Sequence, residues 1–327
     1  MKSLMTVEEA SQLIRKGQRL FISGEESLLS RLPKGEWAGG TIPYFMTEDG
    51  GMCAQDKVQV AVLPDFVTGT TVQLYGAAEL GRIPVDYTRN GFSYIVIPGM
   101  TEAHQTFAKD CSTWHGVFNR PLVGWVAGSH LDNLGKTQAK VVNGQTGEVS
   151  GSKAVVMHVD LPAGKYAQVN IINLFQQGSG DVITFPTVGF EARECFVNGR
   201  PQNLAHYLKS ANVNTQLPMV ADYRGVMVNV AFQSADAENG KVAFVAPVFP
   251  GMEYKIAKPI GNYEVEFSYQ LSRHNVRPVF TCNCILNYLY AKLEGKKTGG
   301  IVGPMTFGEI AYMLLNQTLV YLTFGET

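Results

Sequence analysis

Apolar and polar positions repeat along this chain with two periods, and each change of period marks an element. Between Thr6 and Gly17, the residues Ala10, Leu13 and Ile14 share one helical face. Thr6 and Glu9 have capping-box spacing, and Gly17 can take the left-handed conformation that ends a helix. The pattern predicts a helix over 6–16. "RLFISG" then reads as a strand, "ESLLSRL" as a helical turn or two, and "WAGGTIPYF" as a strand entered through paired glycines. "VQVAVL", "TVQLYG", "YIVIPG", "AVVMHV" and "AQVNIINLF" are strand-like by their β-branched and aromatic content, whereas "TEAHQTFAKDC" is helical.

The second half continues with "DVITFPTVGFEARECFV", an Asn198-Gly199 turn, and a short helix opened by Pro201 with Leu204 and Leu208 on one side. "GVMVNVAF", "KVAFVAPVF" and "YEVEFSYQL" read as antiparallel strands. In the last of these Val265, Phe267 and Tyr269 alternate with Glu264, Glu266 and Ser268. The closing segment predicts a strand "RPVF", a helix "CNCILNYLYAKLE", a glycine turn and a strand "QTLVYLTF". Strands outnumber helices and short turns join them. The expected fold is therefore α/β with an α+β tendency, in mixed, largely antiparallel sheets packed together and flanked by helices. A glycine-and-apolar element recurs as "WAGGT", "PLVGW" and "GGIVG", which hints at an internal duplication.

Composition narrows the function classes. The 327 residues are 45% hydrophobic and 17% charged, as in globular proteins, and 27 basic residues balance 28 acidic ones. No basic run predicts a nucleic-acid or membrane-surface partner. Glu8 and Glu9 interrupt any N-terminal leader, and five scattered cysteines fit a reduced, cytoplasmic setting without disulfides. No P-loop, dinucleotide fingerprint, nucleophile elbow or H-E-x-x-H motif is present. The six histidines have no zinc-site spacing with cysteine, so no metal site is expected.

Three chemistries stay open. Gly299, Gly300 and Gly303 can turn backbone amides inward as a nest for an anion, and Glu309 beside them can receive an ammonium. With Thr306 and Asn316 as neutral hydrogen-bonding groups, they suit a zwitterion such as an amino acid. Alternatively, a helix N-terminus at Cys282 lowers a thiol pKa and makes a thiol enzyme using Cys282 or Cys284, although Cys282 also shares a core-like stripe with Ile285, Leu289 and Leu293. By that spacing Cys284 is the more solvent-reachable of the two. A haem protein needs only one axial histidine, and His104, His115 and His274 are the candidates.

"GGIVGPMTFGEI" followed by "LLNQTLVYLTF" resembles the C-terminal signature of FIST domains, with Gly308, Glu309, Asn316, Gln317 and Thr318 matching its Gly-Glu pair and Asn-Gln-Thr strand. "VNGRPQNLAHYL" is similar to the family's turn into a helix, and "RPVFTCNC" to its strand ending in a cysteine, here Cys282. "EWAGGTIPYF" occupies the place of its glycine- and threonine-rich strand. The resemblance implies an N-terminal FIST-like part over 1–185 and a C-terminal part over 186–327, forming one unit. It also implies an intracellular sensory role without catalysis and a small, amino acid-like ligand. In some relatives that ligand is haem, so haem is a possible cofactor. The signal would pass to a separate signalling protein. The implied ligand-binding residues are Gly40, Thr41, Cys282, Gly303, Thr306, Gly308, Glu309 and Asn316.

Overall fold

The computed structural model describes residues 2–223, 225–272 and 278–327. First in the chain come β1 (Leu4–Met5), α1 (Val7–Arg15), β2 (Leu20–Gly24), α2 (Glu26–Leu29), β3 (Trp37–Thr41), β4 (Tyr44–Thr47), β5 (Gly50–Cys53) and β6 (Val58–Val62). The expected capping box starts α1: the Glu9 amide donates to Thr6 Oγ1, and the Thr6 amide to Glu9 Oε2.

A second series has the same order: β7 (Gly69–Tyr75), a 3-10 helix (Ala77–Arg82), β8 (Gly91–Pro98), α3 (Glu102–Asp110), β9 (Leu122–Ala127), β10 (Val141–Asn143), β11 (Glu148–Ser150) and β12 (Ala154–Asp160). A third begins with β13 (Lys165–Ile172) and is interrupted by a long insertion. The insertion holds β14 (Ile183–Thr184), β15 (Gly189–Ala192), β16 (Glu194–Val197), β17 (Arg200–Asn203), α4 (Leu204–Ser210) and β18 (Met219–Asp222). It closes with β19 (Met227–Val230), β20 (Phe232–Asp236), β21 (Lys241–Val248) and β22 (Tyr254–Ile256). The third series then resumes with α5 (Tyr263–Ser272), β23 (Phe280–Cys284), α6 (Ile285–Tyr290), β24 (Gly303–Thr306), β25 (Glu309–Ala311), β26 (Met313–Leu315) and β27 (Leu319–Glu326).

The pairing turns this repetition into a closed ring. Three six-stranded sheets have equivalent orders: β1-β6-β2-β3-β10-β11, then β7-β12-β8-β9-β25-β26, then β13-β27-β23-β24-β4-β5. In each, four strands come from one repeat, and the last two are a hairpin donated by another. Each sheet contains a single parallel pair, made by the strands that flank the second helix of its repeat. The glycine elements seen in the sequence lie on the second strand of each parallel pair. A Cβ at Gly39, Gly124 or Gly303 would overlap the carbonyl oxygen of Ile22, Ile95 or Thr281 on the first strand. The duplication is thus a triplication.

Phe21, Tyr94 and Phe280, at equivalent places on β2, β8 and β23, meet in the middle. Phe21 stacks on Tyr94 at 3.7 Å between ring centroids, and Phe280 meets both edge-on at 5.7 and 5.2 Å. Truncating a buried aromatic of this kind costs about 3–5 kcal/mol. Around this trio the fold is α/β with strand in excess, in mixed and antiparallel sheets packed together, as the patterning predicts. The insertion makes two further sheets of its own, β17-β16-β14-β22-β18-β19 and β15-β21-β20. Among the described residues no helix is long and apolar enough to cross a membrane.

Three expectations change. Residues 263–272 form α5 instead of a strand. Asn262 caps it by accepting from the Val265 amide, and Tyr263, Phe267 and Leu271, four apart, face inward while Val265 and Tyr269 are exposed. The alternation of Val265, Phe267 and Tyr269 was a coincidence of period. The helix placed at 282–294 starts only at Ile285, because Thr281 and Cys282 pair with β27 as a strand. Pro201 does not open a helix: it faces Phe196 across the Asn198-Gly199 hairpin, whose two residues both have positive φ, and Asn203 caps α4.

The donated hairpins make a specific prediction. Cutting the chain in the turn at 162–164 leaves an N-terminal fragment whose second sheet lacks the hairpin β25-β26 and a C-terminal fragment whose sheet lacks the hairpin β4-β5. Neither fragment alone should give a cooperative thermal transition by circular dichroism, and mixing them should restore one. A 1–162 fragment that melts cooperatively at the Tm of the whole chain would show that its second sheet does not need the hairpin β25-β26.

Candidate functional site

Glu309 opens β25, opposite Trp125 on β9, with none of its surface exposed. By register its counterparts in the other two donated hairpins are Val141, opposite Gly40, and Phe45, opposite Pro304. Both counterparts belong to the same core cluster as the central aromatic trio. A carboxyl group thus occupies one of three otherwise apolar positions. Its Oε2 accepts from the Thr318 amide at 3.1 Å and hydroxyl at 2.9 Å, while Oε1 lies 3.2 Å from Thr306 Oγ1, and the Cys284 thiol is also a hydrogen-bond partner. Burial raises its pKa from 4.5 to about 8, against the lowering effect of these hydrogen bonds.

The network fits the neutral acid. With both Thr318 donors on Oε2, the proton belongs on Oε1 and is donated to Thr306 Oγ1. That hydroxyl has only one hydrogen, which then serves the carbonyl of Asn283 at 3.2 Å or Gly308 at 3.1 Å. Glu309 therefore does not receive an ammonium. Its oxygens are engaged by the protein, and it lines neither of the clefts that flank α6.

Of the residues singled out from the sequence, Cys282, Thr306, Gly308 and Glu309 come together here. The Cys282 thiol donates to the Gly124 carbonyl at 3.3 Å. Gly303 serves the close strand approach, while the positive φ at Gly299 and Gly300 makes the turn. Asn316 ties the insertion down: its Nδ2 donates to the Asn229 carbonyl at 2.7 Å and its Oδ1 accepts from the Ala231 amide at 2.9 Å. Gly40 packs against Val96, and Thr41 bonds Gly128 and Lys140, none of them a hydrogen-bond partner of Glu309.

The thiol alternative loses its basis. Cys282 lies inside a strand, and Cys284, expected to be reachable, is only 2% exposed. Burial first, then the nearby Glu309, raises both thiols well above their usual pKa. Neither has the thiolate character a nucleophile needs.

A cleft of about 430 Å³ lies beside this network, between α3, α6 and the insertion. Met100, Leu286, Leu289, Phe190, Phe232 and Phe244 give it apolar walls; His104, Gln105, Gln233 and Cys284 are its polar groups. Thr101 caps α3 by accepting from the His104 amide at 3.2 Å. The Met100 amide donates to His104 Nδ1 at 3.3 Å, and Nε2, buried, has no partner among the described residues. Only 8% of His104 is exposed, and burial lowers its pKa to about 4, so the ring is neutral with its hydrogen on Nε2. Met100 holds a left-handed backbone (φ 61) at the mouth, a strained conformation for a residue with a side chain.

This geometry bears on haem. A metal-ligating histidine donates its second nitrogen's hydrogen. At His104 that nitrogen accepts instead, which leaves Nε2 a donor and no lone pair for iron; the residues do not fit the group. His115 is exposed and lines neither cleft, and His274 lies outside the described residues. His158 is a satisfied core histidine, held between Ser93 Oγ at 2.8 Å and Tyr75 Oη at 2.9 Å. Sequence reasoning named His104 only as an iron ligand and missed the cleft, because the insertion supplies Phe190, Phe232 and Phe244. The one local signal was Thr101 three residues before His104, the spacing of a helix cap.

The chain belongs to a family of unknown function (DUF6976), whose model matches residues 5–325. No curated protein matches its sequence.

Two measurements check the buried network. Glu309 has a higher pKa folded than unfolded, so its contribution to stability is full below about pH 4.5 and is lost as pH rises through about 8. Stability, read as the Tm, should therefore fall between about pH 4.5 and 8 by on the order of a few kcal/mol, and Glu309→Gln should flatten that slope. Parallel curves would mean that Glu309 is ionised in the folded protein. For the thiols, alkylation of native protein at pH 7 should be at least roughly tenfold slower at Cys282 and Cys284 than for free cysteine. Faster labelling at either would restore the nucleophile.

Proposed function

We propose that this member of the family is a small-molecule-binding sensory protein whose ligand sits in the cleft against His104. The observation that carries the reading is the unpartnered Nε2–H of His104 in a largely apolar cleft. A buried donor left unmade costs about 1–3 kcal/mol, which a ligand acceptor recovers on binding. Apolar walls with a few fixed polar groups are the usual lining of a small-molecule site. The ligand is an amphipathic molecule with a carboxylate or carbonyl toward His104 and an apolar body among Phe190, Phe244 and Leu289. A large apolar amino acid has this shape, with Gln105 and Gln233 available to its ammonium.

The resemblance to FIST domains supports the sensory half of the reading, with the signal passed in trans to a separate protein. Five cysteines without a disulfide support an intracellular setting. Signalling requires that the ligand bind one conformation better than another. The strained Met100 turn and α6, both at the cleft, are the elements such a ligand would bias.

Leucine, phenylalanine and phenylacetate, titrated separately, should raise the Tm in a dose-dependent way, since a ligand of the native state stabilises it. His104→Ala should lose that increment relative to its own ligand-free Tm. A flat response to all three ends the amphipathic-ligand reading, and an equal increment in His104→Ala removes His104 from the site.

A further inference from the structure

A second cleft, of about 370 Å³, lies on the other side of α6, between that helix, the loop before α5 and the insertion. Its lining is more polar than that of the first. Gln317, only 2% exposed, contributes a side-chain Oε1 that is buried without a partner among the described residues, while its Nε2 donates to the Gln216 carbonyl at 3.3 Å. Gln317 is also held at positive φ (51°), a cost that local sterics alone do not explain.

The remaining groups define the complement. Asn214 and Asn262 each use Oδ1 to accept a backbone amide, from Gln216 and Val265 respectively, which leaves their NH2 groups as donors for the cleft. Lys296 and Glu264 pair with each other at 2.7 Å, so the rim has no net charge to offer an ion. Tyr290, 38% exposed, lines the cleft as a ring surface.

We propose that this cleft is a second binding site, for a neutral sugar of one or two rings. Gln317 Oε1 requires a donor and the two asparagines require acceptors, and a hydroxyl group supplies both. The neutral ion pair disfavours charged ligands, and the C–H face of a sugar ring packs on Tyr290. The site does not depend on the His104 cleft, so either reading can fail alone.

The test is saturation-transfer NMR on the full chain with glucose, maltose and myo-inositol as probes. At least one should receive saturation and compete with the others. Its affinity should fall at least tenfold in Gln317→Leu and in Asn214→Ala, and be unchanged in His104→Ala. Asn214 is a surface turn residue, so its variant keeps the test valid where Gln317→Leu does not fold; thermal melting checks each. No transfer to any of the three probes, or transfer equal in wild type and Asn214→Ala, overturns the proposal.

Discussion

The structure depends on the backbone hydrogen bonds that seat each donated hairpin: β10 on β3, β25 on β9, and β4 on β24. Each joins different repeats, and each covers a strand that would otherwise be an open sheet edge. The central aromatic trio can be packed only when all three sheets are in place. Local preference cannot create this arrangement, because no repeat contains a complete sheet. The close approach of the parallel strands, possible only at Gly39, Gly124 and Gly303, fixes the register from which the hairpins continue.

That dependence explains what the sequence revealed. Elements set by neighbours in the chain were legible: the Thr6 and Glu9 capping box, the β-branched strands, the Asn198-Gly199 turn and the α3 helix. The three glycine motifs signalled repetition, but their number and meaning required strand pairing between distant segments. Where local pattern and tertiary context disagreed, context prevailed. Phe267 is buried on a helix because Tyr263 and Leu271 share its face, although alternation alone read as a strand. Charged and polar residues were the least legible. Glu309 was recognised as unusual, yet whether it faces a ligand or a hydroxyl is decided by Thr306, at the end of β24, and Thr318, just before β27.

The buried carboxyl and the two clefts form a connected set. Cys284 bonds Glu309 and lines the apolar cleft, and its sulfur is also a partner of the Gln317 amide. The side chain of Gln317 lines the polar cleft. Tyr290 on α6 touches both clefts.

The exchange of hairpins is the geometry by which separate subunits embrace in a ring. In a ring of three identical chains, symmetry would copy every substitution threefold. A glutamate at the Glu309 position would then put three acids around one dry axis, where even one remains neutral only through a raised pKa. Joining the repeats into one polypeptide removes that constraint. Phe45 and Val141 can stay apolar while their third counterpart becomes an acid, and one repeat can acquire an insertion and a cleft that the others lack. Carried on one polypeptide, this architecture is free to be asymmetric at its centre.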